Sequence, residues 1–176
     1  MYRKIWLFLF LWLVLISVSG CAKKYYLDYD FSGYKITIPT KEILDNQKVS
    51  DLQKAQNIEA IAIQRSQTWY KDSLIISNID LSQITLDKFM TLNKKTLESR
   101  FAEYNESKYS DLSFECKNRK ISGKLFNYDL IVSDQKIYFS QYLFSRAKSG
   151  YMISLSSEDK GQIKLFKKSV QDISCD

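Results

Sequence analysis

Residues 121–132 read ISGKLFNYDLIV, residues 137–146 read IYFSQYLFSR, and SDQK (133–136) lies between them. Phe126, Tyr128, Leu130 and Val132 occupy alternate positions of the first run. In the second, Ile137, Phe139, Gln141 and Leu143 take one face, and Tyr138, Tyr142 and Phe144 the other. A period of two in aromatic and aliphatic residues marks strands, and a short polar turn makes two such runs antiparallel neighbours. Ser149-Gly150 turns the chain again into YMISLS (151–156), which completes an antiparallel meander.

The flanking segments add the other elements. Residues 112–116 form a short strand before the meander. Thr85 offers an N-cap and Asp87 a first-turn charge for a helix over 86–105. Leu86, Met90, Leu97, Phe101 and Tyr104 share one face of that helix, with Phe89 beside it. Residues 58–65 and 74–79 are apolar on both sides, Ile61 and Ile63 against Ile58, Ala60 and Ala62, which predicts central strands covered on both faces. Trp69-Tyr70-Lys71-Asp72 joins the two. Residues 33–39, GYKITIP, alternate as a half-buried strand that Pro39 ends. Residues 40–57 are polar and read as a loop with one helical turn near 49–55. Asp159 caps a closing helix in which Ile163, Phe166, Val170 and Ile173 share a face, and that helix delivers Cys175 to the body. The pattern predicts an α+β domain: an antiparallel sheet of about six or seven strands with a middle helix and a C-terminal helix packed on it.

The N-terminus carries an address. Arg3 and Lys4 precede an apolar run over 5–16, then Ser17-Val18-Ser19-Gly20-Cys21. A charged start, an apolar stretch of secretory length and small residues at a processing site form a signal peptide. Val18-Ser19-Gly20-Cys21 resembles the lipobox of bacterial lipoproteins. That resemblance implies cleavage between Gly20 and Cys21, a thioether-linked diacylglycerol on Cys21, and acylation (palmitate or similar) of the new amine. Two or more chains anchor stably where one does not. The alternatives are a plain signal anchor, for which residues 5–18 are shorter than the about 20 residues a membrane span needs, and a cleaved, soluble secreted product. The expected organisation is a signal peptide over 1–20, a lipidated tether over 21–32 and a single domain over 33–176. The expected location is the cell envelope, anchored in a membrane and facing its extracytoplasmic side.

The order of elements also resembles the Mog1/PsbP-like group. The resemblance rests on the Ile38-Pro39 strand end, the early strand pair and the middle helix. It continues through Ile121-Ser122-Gly123-Lys124, the aromatic strand over 137–142, the Gly150-Tyr151 strand and the closing helix, and so covers about 30–174. It implies a PsbP-like α+β fold. That group spans unrelated roles, so the resemblance brings no site residues with it.

Composition narrows the chemistry. All 20 acidic residues and all but Arg3 and Lys4 of the 26 basic ones follow Gly20, so the mature chain carries +4 in place of +6. The excess is spread out, no stripe of arginine with interleaved aromatics occurs, and no nucleic-acid partner is expected. The chain has no histidine, which removes histidine-based acid–base catalysis and the commonest zinc ligand. It contains no phosphate-binding glycine loop or nucleophile elbow. Asp28-x-Asp30 lacks the later oxygen ligands of a calcium loop. No catalytic residue, metal or cofactor is therefore expected. With Cys21 assigned to lipid, Cys116 and Cys175 are the remaining thiols. Export permits a disulfide between them, and its loop of about 60 residues would contribute about 4 kcal/mol; the rival reading is two free buried thiols.

These features predict a lipid-anchored, non-catalytic envelope protein that binds or assembles with another envelope component. Its partners would be the membrane, through the lipid on Cys21, and a protein met through Trp69 and Tyr70, large aromatics in a connecting loop. A small-ligand-binding lipoprotein with an apolar pocket between helix and sheet, and an envelope enzyme using carboxylates, are the alternatives. Converging acids in a cleft would favour the enzyme and a sizeable apolar cavity the ligand binder. A closed core with an exposed aromatic loop would favour the first reading.

Overall fold

The computed structural model describes residues 25–65, 69–101, 104–106, 109–146 and 148–175. In chain order the elements are β1 (Tyr25–Phe31), β2 (Tyr34–Thr40), β3 (Leu44–Gln47), α1 (Asp51–Ala55), β4 (Ile58–Gln64) and β5 (Ser73–Asp80). They continue with α2 (Leu86–Arg100), β6 (Tyr104–Glu106), β7 (Ser110–Cys116), β8 (Arg119–Val132), β9 (Gln135–Arg146), β10 (Ser149–Ser157), α3 (Lys160–Gln171) and β11 (Ser174–Cys175).

The predicted meander is the centre of the large sheet. Its order is β3-β4-β5-β10-β9-β8-β6, with β7 also paired to β8, and every pairing is antiparallel. Ser133 and Asp134 sit at positive φ in the β8–β9 turn, as a type I′ hairpin requires. One face of this sheet carries Ala62, Leu74, Ile76, Phe114, Leu125, Tyr142, Phe144, Ile153 and Leu155, all buried. A second sheet, β1-β2-β11, and helix α3 cover that face with Phe31, Tyr34, Ile36, Ile38, Phe166 and Val170. Tyr34, Phe114 and Phe144 meet edge to face at centroid separations of 5.2–5.9 Å, a geometry worth about 1 kcal/mol per pair beyond the buried area. Helix α2 lies on the other face. It buries only Met90 fully, over Leu143 and Ile79.

The α+β class, the antiparallel sheet with its middle and closing helices, and the three-strand meander match the expectation; a second, three-stranded sheet adds a layer to it. The additional layer explains why strands β4 and β5 are apolar on both sides. Residues 25–31, expected as the end of the tether, are strand β1. Leu27, Tyr29 and Phe31 turn inward while Tyr26, Asp28 and Asp30 turn out, and the positive φ of Ser32 and Gly33 closes a two-residue hairpin onto β2. Pro39 does not end β2. It pairs with Tyr26, and β11 reaches only Tyr34 and Lys35, so the other edge of β2 is open beside Pro39. The segment read as a loop contains β3, an edge strand on β4, and the expected helical turn α1, held by a capping box between Ser50 and Gln53. The middle helix starts where Thr85 caps it, its hydroxyl accepting from Lys88 N at 3.2 Å. It stops at Arg100 rather than 105. Phe101 is extended, and Tyr104 pairs with Leu130 on the edge of β8 that would otherwise be open.

Candidate functional site

Strand directions sort the domain into two ends. β1 begins at Tyr25 opposite Thr40 and finishes at Phe31 opposite Tyr34. The chain-entry end also holds the β4–β5 connection, the Ser133–Asp134 turn and the N-terminus of α3, whose Gln162 side chain donates to the Pro39 carbonyl. The opposite end holds the β1–β2 and β7–β8 turns, Arg146 and Cys175.

At that opposite end Cys116 and Cys175 form a disulfide, with Cα atoms 5.6 Å apart. Cys116 lies opposite Arg119 on β8 and Cys175 opposite Tyr34 on β2, so the bridge ties the two sheets together. Lys117 and Asn118, at φ 48° and 63°, make the tight turn from β7 into β8. Around the disulfide, this turn and the ends of β8 and β9 enclose a cleft of about 640 Å³. Its floor is Ile121 and the two cysteines, and its walls carry Lys117, Arg119, Lys120 and Arg146. No carboxylate among the described residues lines it; Asp176 follows Cys175 and lies outside them. Two guanidinium forks and two ammonium groups above an apolar floor suit a carboxylate or phosphate, which arginine can bind in bidentate fashion. Sequence reasoning missed this set. The run Lys117-Asn118-Arg119-Lys120 was the available signal, and Arg146 joins it only through the pairing of β8 with β9.

The chain-entry end holds the predicted aromatic pair. Trp69 is 48% exposed, whereas Tyr70 is half-buried. Their rings lie 5.7 Å apart. Burial pushes the Tyr70 phenol above its usual range, and a hydrogen bond with Ser156 partly offsets it. Only Trp69 is therefore presented outward. Behind it, Asp72 clasps the loop: Gln64 N donates to Asp72 O at 2.8 Å, Asp72 N donates to Gln64 Oε1 at 3.0 Å, and Ser157 Oγ donates to Asp72 Oδ2 at 2.8 Å. Burial raises the Asp72 carboxyl above the usual range, hydrogen bonds from Ser157 and from the Glu158 backbone oppose this, and the charges of Glu158 and Asp159 add to the rise. Lys41 holds Asp159 below its usual range, and Asp159 caps α3 through Gly161 N at 2.8 Å. Among the described residues no group of three or more His, Cys, Asp or Glu is placed to hold a metal ion.

Between α2 and the sheet runs a groove of about 480 Å³ lined by Met90 and Tyr109 but also by Asp87, Lys94, Glu98 and Lys124. It is open and charged, unlike the sealed apolar pocket that ligand binding would call for. The lipobox residues Val18 to Cys21, with the cleavage position Gly20 and the lipidation position Cys21, lie outside the described residues. Among the described residues no helix is long and apolar enough to cross a membrane.

The architecture is similar to that of cyanobacterial PsbP (CyanoP) from Synechocystis sp. PCC 6803, with a TM-score of 0.55 at 15% identity over 90% of this chain and 96% of that one. The fold is PsbP-like. A second neighbour is LpqN of Mycobacterium tuberculosis, described as involved in cell envelope biogenesis, with a TM-score of 0.53 at 8% identity over 86% of this chain and 90% of that one. A third is PA94, a Pseudomonas aeruginosa protein of unknown function, with a TM-score of 0.50 at 13% identity over 84% and 94% of the two chains. At these identities the likeness concerns the PsbP-like fold alone. No family profile and no curated protein sequence matches the chain.

Proposed function

We propose that this chain is a lipid-anchored, non-catalytic envelope protein that binds an anionic envelope component in the cleft of Lys117, Arg119, Lys120 and Arg146. The observation that carries the reading is the position of that cleft. It lies at the end of the domain opposite Tyr25, so a molecule anchored at Cys21 presents it away from the membrane. The neighbour LpqN, described as involved in cell envelope biogenesis, supports an envelope setting. Of the acids whose charges act on one another at the chain-entry end, Asp72 is engaged in a loop clasp and Asp159 in a helix cap, which gives less support to a carboxylate enzyme. The charged groove beside α2 gives less support to an apolar ligand.

Photo-crosslinking from Ser122, an exposed residue on the cleft wall, tests the reading in native envelope membranes. The adduct should weaken as salt rises, because exposed charges are screened beyond about 10 Å at 0.1 M. Arg119→Glu with Arg146→Glu should lower its yield about tenfold, equivalent to about 1.4 kcal/mol. An adduct of equal yield in the double variant refutes the anionic cleft.

A further inference from the structure

We infer that the chain-entry end of the domain is a bilayer-docking surface, on which Tyr26, Trp69, Ile131 and Val132 sit in the interfacial layer of the membrane. The inference rests on the proposed lipid anchor and deepens it. Four large apolar side chains are exposed at this end: Tyr26 at 65%, Trp69 at 48%, Ile131 at 43% and Val132 at 40%. Three separate connections supply them. Tyr26 lies at the start of β1, Trp69 in the β4–β5 connection, and Ile131 and Val132 at the tip of the β8–β9 hairpin. That hairpin extends beyond the last β10 partner, Ser157 opposite Tyr138, so its tip projects from the sheet. Of the other exposed large apolar residues, Leu52 is on α1 and Leu92 on α2, whereas Phe101 leads into Tyr104, which pairs with Leu130 at the base of the same hairpin tip.

The length of chain before the domain selects the occupant. Only Ala22, Lys23 and Lys24 stand between Cys21 and Tyr25. Fully extended, that interval spans about 14 Å, less than the about 20 Å length of a seven-residue strand. An acyl chain on Cys21 therefore holds this end against the headgroups. Tryptophan and tyrosine favour that layer, where an apolar ring and a polar edge are both accommodated. The charge at this end is mixed. Lys41 is paired with Asp159, Lys136 lies 3.0 Å from Asp129, Lys71 is exposed, and the acids Asp134 and Glu158 are nearby. Docking by this end is thus apolar, and its salt dependence is weak.

Trp69 supplies the probe, because Trp6 and Trp12 precede Cys21 and Trp69 is the sole tryptophan of the mature chain. The full lipidated protein is purified from membranes, the mass of its N-terminal peptide is measured, and it is reconstituted into phosphatidylethanolamine–phosphatidylglycerol vesicles with and without brominated phosphatidylcholine. Trp69 emission should shift to the blue, and brominated lipid should quench it about twofold. Ile131→Asp with Val132→Asp, on an exposed hairpin tip that leaves the core untouched, should restore most of the intensity while Cys21 stays acylated. Acylated Cys21 with unquenched Trp69 overturns the docking surface alone, as does a blue shift that appears only when solubilised envelope proteins are added. Unmodified Cys21 overturns both the anchor and the docking.

Discussion

Replacing both Cys116 and Cys175 with alanine should cost the domain about 4 kcal/mol, and the reasoning can be followed from the structure. The two cysteines are separated by 59 residues. Closing a loop of about 60 residues removes about 14 cal/mol/K of unfolded-chain entropy, or about 4 kcal/mol at 25 °C. Little native packing goes with the bridge, because β11 has only two residues and pairs only with Lys35 and Tyr34. Its neighbours in the core, Val170 and Ile173, stay anchored by α3. The change therefore acts mainly on the unfolded state. For a domain of this size, about 4 kcal/mol corresponds to a Tm lower by about 8–16 °C. Urea unfolding followed by Trp69 emission would measure the loss, with reduced wild type as a second route to the same state. A loss below about 1 kcal/mol refutes the chain-entropy argument. Two free thiols in freshly exported protein would refute the bridge itself.

Gly123 is where β8 passes under the Tyr142 ring: a Cβ there would run into the Leu143 carbonyl oxygen and meet Tyr142 Cζ and Oη at 2.7 Å. Gly123→Ala should cost about 1–3 kcal/mol by overpacking, and an unchanged urea midpoint would show that the Leu143 backbone and the Tyr142 ring give way without cost. Asp72 has a carboxyl raised above its unfolded value, so the native state binds its proton more tightly. Wild type should therefore gain stability relative to Asp72→Asn as pH falls from neutrality into the carboxylate range. Asp159, shifted down, works in the opposite direction but is common to both proteins; a wild type that loses stability relative to Asp72→Asn on acidification contradicts the assignment. Thr85→Ala removes the cap of α2 and should cost about 1 kcal/mol, seen as faster amide exchange at Lys88; unchanged exchange would count against the cap.

How much of this was legible depends on how each segment earns its structure. The meander was readable because Phe126, Tyr128 and Leu130 in one run, and Tyr138, Tyr142 and Phe144 in the next, keep a period of two that no helix can satisfy. The caps at Thr85 and Asp159 were readable because capping is local chemistry. β1 does alternate, Leu27, Tyr29 and Phe31 against Asp28 and Asp30, but its nearness to the lipobox suggested a tether. The pairing with β2 that makes it a strand is not a local property. β3 and β11 are four and two residues long and carry no period of their own; their partners impose them. The helical face through Phe101 and Tyr104 was real as a pattern, yet the open edge of β8 outcompeted it. The basic cleft was hidden for a similar reason, since Arg146 reaches Lys117, Arg119 and Lys120 only across a strand pair. The loop aromatics were half legible: both are where expected, but Tyr70 turns to Ser156 and leaves Trp69 alone at the surface.

The most direct test of the central claim is the mass and location of the mature N-terminus. In an expressing bacterium, the protein should fractionate with membranes, and its first peptide should begin at Cys21 with diacylglycerol attached. Cys21→Ala should abolish fatty-acid labelling and release the domain from the membrane. An N-terminus that retains Met1, or fatty-acid labelling unchanged in Cys21→Ala, would contradict the account.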